Sequence, residues 1–380
     1  MDADRQRSRP EPLVLSAGVH PGARWARRAR LGAYGTLVAV VAAGIALATV
    51  SLGHAGTAST TPTTTSTTSP PPSTTTTTLP PLVPPGTYPI GSTTLQVVDN
   101  SVAGDPGRQV PTTVWYPATA TAGATGATQP DRKDAPYPLL VFSQGYEEYP
   151  TAYMPLLEAW ASAGFVVAAP SYPDTDPPAT PKTPAPDRAD IVHHPTDLKT
   201  VLATVTGASS GRGSTLSGLV DPYEIGLVGQ SDGGDVSLAV GADTCCRYPG
   251  VGALAILSGA EYAGFQGPYF AAPTPPLLVV QGSADVINPP GCSVQVYDAA
   301  PAPKYYLDLV GADHLAPYTS VNPYETVVAH VTTDFFEAEL EGRAAALGAM
   351  AGAANDPPLS ALTVGGTAPP ATPGCPTAPT

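Results

Sequence analysis

Residues 225–234 read IGLVGQSDGG, and the fold turns on how this stretch is read. Glu224 to Gly229 forms a strand-like apolar run, and helix-compatible residues Asp235 to Ala242 follow. Between them, Gly229-Gln230-Ser231-Asp232-Gly233 fits G-x-S-x-G, a strained strand-to-helix turn that lifts a serine above a sheet. Glycines let the chain turn sharply where a Cβ would clash. Ser231 then projects at a helix N-terminus, where backbone N–H groups hold an anion. In a chain with 38 glycines the pentapeptide also arises by chance, so its strand and helix context carries the reading.

Outward from this turn, the pattern repeats. Tyr137 to Phe142 (YPLLVF) and Phe165 to Ala169 (FVVAA) are short continuous apolar runs, the sign of strands buried on both faces. Ala253 to Leu257, Pro276 to Gln281 and Tyr305 to Val310 read the same way. Thr94 to Asp99 and Val110 to Tyr116 are expected to open the sheet as an antiparallel pair. Ala152 to Gly164, Ile191 to Val205 and Asn322 to Leu340 have helical spacing. Strands alternating with helices predict an α/β fold, with a mostly parallel central sheet and helices on both faces.

A nucleophilic serine needs a base and an acid that orients it. With an elbow serine the chain order is Ser, then Asp or Glu, then His. His193 and His194 precede Ser231, and His330 falls inside a helix. His20 and His54 lie outside the body. His314 follows the strand Tyr305 to Val310 in the turn GADHLAP and is the expected base. Asp285 lies in the loop after Pro276 to Gln281, at the strand end where α/β enzymes place their sites, and is the expected acid. Asp308, inside a strand, and Asp313, adjacent to His314, are poorer candidates. Stabilising an oxyanion takes two preorganised N–H donors. Asp232, directly after the serine, is expected to supply one. Tyr146, in the loop SQGYEEY after Tyr137 to Phe142, is expected to supply the other, with its ring flanking an acyl pocket.

With these residues in view, the chain resembles the serine α/β-hydrolases of the platelet-activating-factor acetylhydrolase, chlorophyllase-like and polyester-hydrolase (cutinase-like) group, in its exported actinobacterial form. The resemblance rests on VWYP at 114–117, LLVFSQGY at 139–146, WASAGFVVAAPSYP at 160–173, HHPTDLKTVL at 193–202, VGQSDGG at 228–234, VVQGSADVINP at 279–289 and LVGADHLAPY at 309–318. It implies an α/β-hydrolase fold, a Ser231–His314–Asp285 triad and an oxyanion hole from Tyr146 and Asp232. The group usually carries His where Gln144 and Gln230 stand, a departure that bears on substrate choice. The implied reaction is ester hydrolysis through an acyl-enzyme, on short-to-medium acyl or polyester-like substrates, with no cofactor. An acyltransferase acting on cell-envelope lipids, and a catalytically silent surface-binding protein, share the same pattern. Ser258 to Thr274, the connection where lids are inserted, is too short for a large cap, so a minimal lid and an open cleft are expected. Pro170 to Arg188 is expected to form one rim.

Charge and composition set the surroundings. The net charge is −14, yet residues 1–30 carry seven arginines and three acids. The acidic remainder argues against a nucleic-acid partner, which needs a basic face. Residues 31–52 form an apolar segment whose core, Leu31 to Val50, is long enough, at about 30 Å, to cross a bilayer as a helix. The arginines before it keep that end in the cytoplasm and send the body outward, whether the segment stays as an anchor or is cleaved as a signal peptide. Thr57 to Thr78 holds 13 Thr, 4 Ser and 4 Pro, within a linker over 53–86 that has no material for a core and serves as a plain spacer or a glycosylated stalk. The catalytic domain is expected over 87–343, followed by a low-complexity tail over 344–380. Four cysteines allow three pairings; a bond between adjacent Cys245 and Cys246 is strained and rare, a core-to-tail bond, most simply Cys292 to Cys375, is expected, and the alternative reading makes Cys245 and Cys246 buried small hydrophobes. Their spacing does not suit a zinc site.

Overall fold

The computed structural model describes residues 88–119, 129–176, 185–371 and 374–375. The basic N-terminus, the apolar segment 31–52 and the linker 53–86 lie outside the described residues. Among the described residues no helix is long and apolar enough to cross a membrane.

One mixed sheet organises these residues. Its strands are β1 (Ile90–Leu95), β2 (Thr112–Thr119), β3 (Tyr137–Ser143), β4 (Val166–Pro170), β5 (Val220–Gln230), β6 (Val251–Leu257), β7 (Leu277–Gly282), β8 (Lys304–Leu309) and β9 (Ser360–Val364). They lie in the order β1-β2-β4-β3-β5-β6-β7-β8-β9, and a tenth, two-residue strand, Gln129–Pro130, pairs with β2. The six strands from β4 to β8 along that order are parallel to one another. β1 and β2 are antiparallel, as are β2 and β4, and β9 closes the far edge antiparallel to β8.

Among the described residues the helices of ten residues or more are α1 (Met154–Ala163), α2 (His194–Ser210), α3 (Asp232–Ala242), α4 (Pro290–Ala299), α5 (Pro323–Glu339) and α6 (Ala344–Ala354). The strand period of two sorts side chains to the two faces. Leu139 and Val141 of β3 join one core with Leu198 and Val201 of α2, Val236 of α3 and Val296 of α4. Leu140 and Phe142 join the other with Leu156 and Trp160 of α1, Phe335 and Phe336 of α5 and Met350 of α6. All seven residues of β3 are buried, which is why it reads as an unbroken apolar run. The Trp160 indole donates to Thr332 Oγ1 at 2.9 Å, pinning α1 to α5. Asn322 starts α5, its side chain accepting the N–H groups of Tyr324 and Glu325, with Pro323 first in the helix.

Three expectations are corrected. The first strand is Ile90–Leu95 rather than Thr94 to Asp99. Val98–Asp99 instead forms a small ladder with Arg108–Gln109, drawn toward α2 because Arg108 binds Asp197 there. Within the low-complexity tail, expected to be partly packed at most, residues 344–364 form regular elements: α6 packs Met350 and Ala354 into the core, and β9 covers the β8 edge, which would otherwise present unpaired N–H and C=O groups. Cys245 and Cys246 are not buried thiols. They follow α3 in a turn that exposes Cys245, and they are bonded to each other, while Cys292 is bonded to Cys375 as expected. The connection from Ser258 to Thr274 holds no helix and only one isolated bridge, Asp243 with Tyr269.

Candidate active site

β5 runs into α3 through Ser231, whose φ of 55° and ψ of −126° lie in a region that non-glycine residues rarely occupy. The neighbouring glycines make this turn possible. A Cβ on Gly229 would sit 2.1 Å from the Gly233 carbonyl oxygen, and one on Gly233 2.1 Å from that of Ser143. The Ser231 N–H donates to Leu257 O, and the Asp235 N–H to Ser231 O, so the turn is fastened on both sides.

The three residues expected from chain order converge. His314 Nε2 is 2.9 Å from Ser231 Oγ, and His314 Nδ1 is 2.7 Å from Asp285 Oδ2. Ser231, Asp285 and His314 follow β5, β7 and β8, so all three stand at the C-terminal ends of parallel strands. The Asp285 carboxylate accepts three more hydrogen bonds. Oδ1 takes the N–H groups of Ile287 and Asn288, and Oδ2 takes Gln281 Nε2 at 3.1 Å. Burial pushes this acid up, but the His314 contact and the two backbone N–H groups outweigh it and hold it below the usual carboxylate range. Ser293 Oγ donates to Gln281 Oε1, fixing the amide that faces Asp285. Asp313 instead caps the short helix Ala316–Thr319, accepting from Leu315 and Ala316. His194 stacks on Tyr172 at 4.1 Å between centroids and contacts Asp190, far from this line in role and partners.

Neither the Tyr146 nor the Asp232 N–H donates to another group among the described residues. A buried chain of hydrogen bonds joins the loop bearing Tyr146 to the loop bearing His314. The Gly145 N–H donates to Tyr153 Oη, Tyr153 Oη–H to Gln230 Oε1, and Gln230 Nε2 to His314 O. Gln230 therefore braces His314 from the position beside Ser231. Gln144 Nε2 binds Asp176 Oδ1 at 3.0 Å, and burial pushes Asp176 up to about 7.

The segment Pro186 to Arg188 touches both Tyr146 and Asp232. The Tyr146 hydroxyl donates to Pro186 O, and Arg188 holds the Asp232 carboxylate through two hydrogen bonds of 2.8 and 2.6 Å. Sequence reading missed the supporting contacts of Gln281 and Tyr153 altogether, assigned Gln230 only to substrate choice, and placed Arg188 on a rim without its partner. For Gln281 a signal existed, since it ends the strand that leads to Asp285. For Arg188, 44 residues from its partner, there was none. Among the described residues no cluster of His, Cys, Asp and Glu could hold a metal ion. No family model matches the chain, and no curated protein matches it.

Proposed function

We propose that the chain is an exported carboxylic-ester hydrolase of the serine α/β-hydrolase type, acting through an acyl-enzyme. The observation that carries this reading is the continuous line from Ser231 Oγ to His314 to Asp285, at 2.9 and 2.7 Å, on an elbow backbone. Ser231 Oγ attacks the ester carbonyl while His314 Nε2 takes its proton. The same nitrogen then protonates the departing alcohol. Asp285, kept ionised by its four donors, holds the imidazole with Nδ1 protonated. The free N–H groups of Tyr146 and Asp232 receive the oxyanion. Water, deprotonated by His314, finally cleaves the acyl-enzyme and regenerates the serine.

The short helix-free connection over 258–274 supports an open cleft with a minimal lid, suited to short-to-medium acyl or polyester-like esters. The arginine-flanked apolar segment 31–52 supports delivery of the domain to the outer side of a membrane, anchored or released. Purified protein should hydrolyse chromogenic esters, and Ser231→Ala should abolish that turnover with the fold kept. Turnover unchanged in Ser231→Ala overturns the proposal.

A further inference from the structure

The residue after the elbow serine is an aspartate, an awkward group for that place. On the reading above, the Asp232 N–H faces a developing oxyanion, and the carboxylate of the same residue is only a few bonds away. Its side chain is 6% exposed, so water screens it little. A second acid, Asp235, lies one turn further along α3, is buried, and accepts the Ala260 N–H at 2.6 Å. Burial, and next the neighbouring Asp232, push Asp235 well above the usual carboxylate range.

One cation answers this. Arg188 grips both oxygens of Asp232 in a fork. It comes from a separate segment, the turn Arg188–His193 on the rim, and nearly half of its side chain is exposed. Two residues earlier, Pro186 O takes the Tyr146 hydroxyl, so the same short segment touches both residues whose N–H groups face the oxyanion.

We propose that Arg188 is a positioning residue for acyl transfer: it cancels and turns aside the Asp232 carboxylate so that the Asp232 N–H can serve an anion. This rests on the ester-hydrolase reading. No bond to substrate is needed, so the effect belongs to kcat rather than KM. An uncompensated charge about 5 Å from the oxyanion, at an effective dielectric of about 20, slows the step on the order of a hundredfold.

The test is a set of variants of the full chain, assayed on p-nitrophenyl butyrate: Arg188→Gln, Arg188→Lys, and Arg188→Gln combined with Asp232→Asn. Arg188→Gln is expected to lose ten- to a hundredfold in kcat with KM within about twofold and an unchanged circular dichroism spectrum. Arg188→Lys keeps most of the rate, and adding Asp232→Asn to Arg188→Gln restores at least tenfold. A rate within threefold of wild type in Arg188→Gln, or no recovery in the double variant, overturns the inference while leaving the hydrolase reading intact. Absence of ester turnover in the wild type removes both.

Discussion

On the proposed function Asp285 is the orienting acid, and Asp285→Asn tests that role with the least disturbance of shape. In the native site Oδ1 faces two backbone donors, Ile287 and Asn288, while Oδ2 faces Gln281 Nε2 and His314 Nδ1. An asparagine must keep its oxygen toward the two backbone N–H groups, because an NH₂ there would oppose both. Its NH₂ then faces His314 Nδ1 and forces that nitrogen to accept. The imidazole proton moves to Nε2, the atom 2.9 Å from Ser231 Oγ, and the base cannot take the serine proton. The wrong tautomer is worth about 10⁴-fold in kcat, or about 5.5 kcal/mol of barrier. The new NH₂ also opposes Gln281 Nε2, which adds a small loss of stability. The assay is steady-state hydrolysis of p-nitrophenyl butyrate, with fluorophosphonate labelling rates measured beside it; both should fall together. Activity within tenfold of wild type, or an equal loss in Asp308→Asn, refutes the assignment of Asp285.

Further outcomes follow from groups outside the reacting line. Glu325 is fully buried, neither of its carboxylate oxygens has a hydrogen-bond partner among the described residues, and burial pushes it up to about 7. A folded-state value raised above the unfolded one stabilises at low pH, and that contribution is lost as pH rises toward 7, on the order of 3 kcal/mol. Glu325→Gln should therefore unfold at higher urea than wild type at pH 8, with the advantage vanishing near pH 4.5; an equal difference at both pH values contradicts this. Arg108 is buried and holds Asp197 through Nε at 3.0 and 3.1 Å and also Asp190. Arg108→Met leaves those acids uncompensated and should cost about 3–5 kcal/mol in urea unfolding, a result under 1 kcal/mol being contrary. Across acyl chains of about two to sixteen carbons, kcat/KM should peak at roughly two to eight, because an open cleft gains little of the ~0.8 kcal/mol available per buried CH₂; a steep rise toward sixteen, or activity only above the solubility limit, argues for a roofed tunnel.

The sheet was legible where strands are buried on both faces. YPLLVF, FVVAA and IGLVG declare themselves because strands buried on both faces read as near-continuous apolar runs, and the C-terminal ends of such strands were where Ser231, Asp285 and His314 were sought. Edges were not legible. β1 faces solvent on one side, so its alternation is weak and its register slipped by four residues in the reading. α6 is mostly alanine with two glycines, which pack by close approach, and β9 (SALTV) is short and only partly buried, so neither leaves a clear periodic apolar signature. The supports of the site were hidden for another reason. Gln230, Gln281 and Arg188 act through hydrogen bonds whose partners the topology assembles, and a polar residue read singly gives no sign of which partner it meets.

The central claim is that Ser231 is the activated nucleophile. Reaction of the full chain with a fluorophosphonate, followed by peptide mapping by mass spectrometry, tests it directly. The account predicts a single adduct on the peptide containing Ser231, absent from Ser231→Ala and slowed about 10⁴-fold in Asp285→Asn. No adduct on the folded wild-type protein, or an adduct that persists in Ser231→Ala, contradicts it.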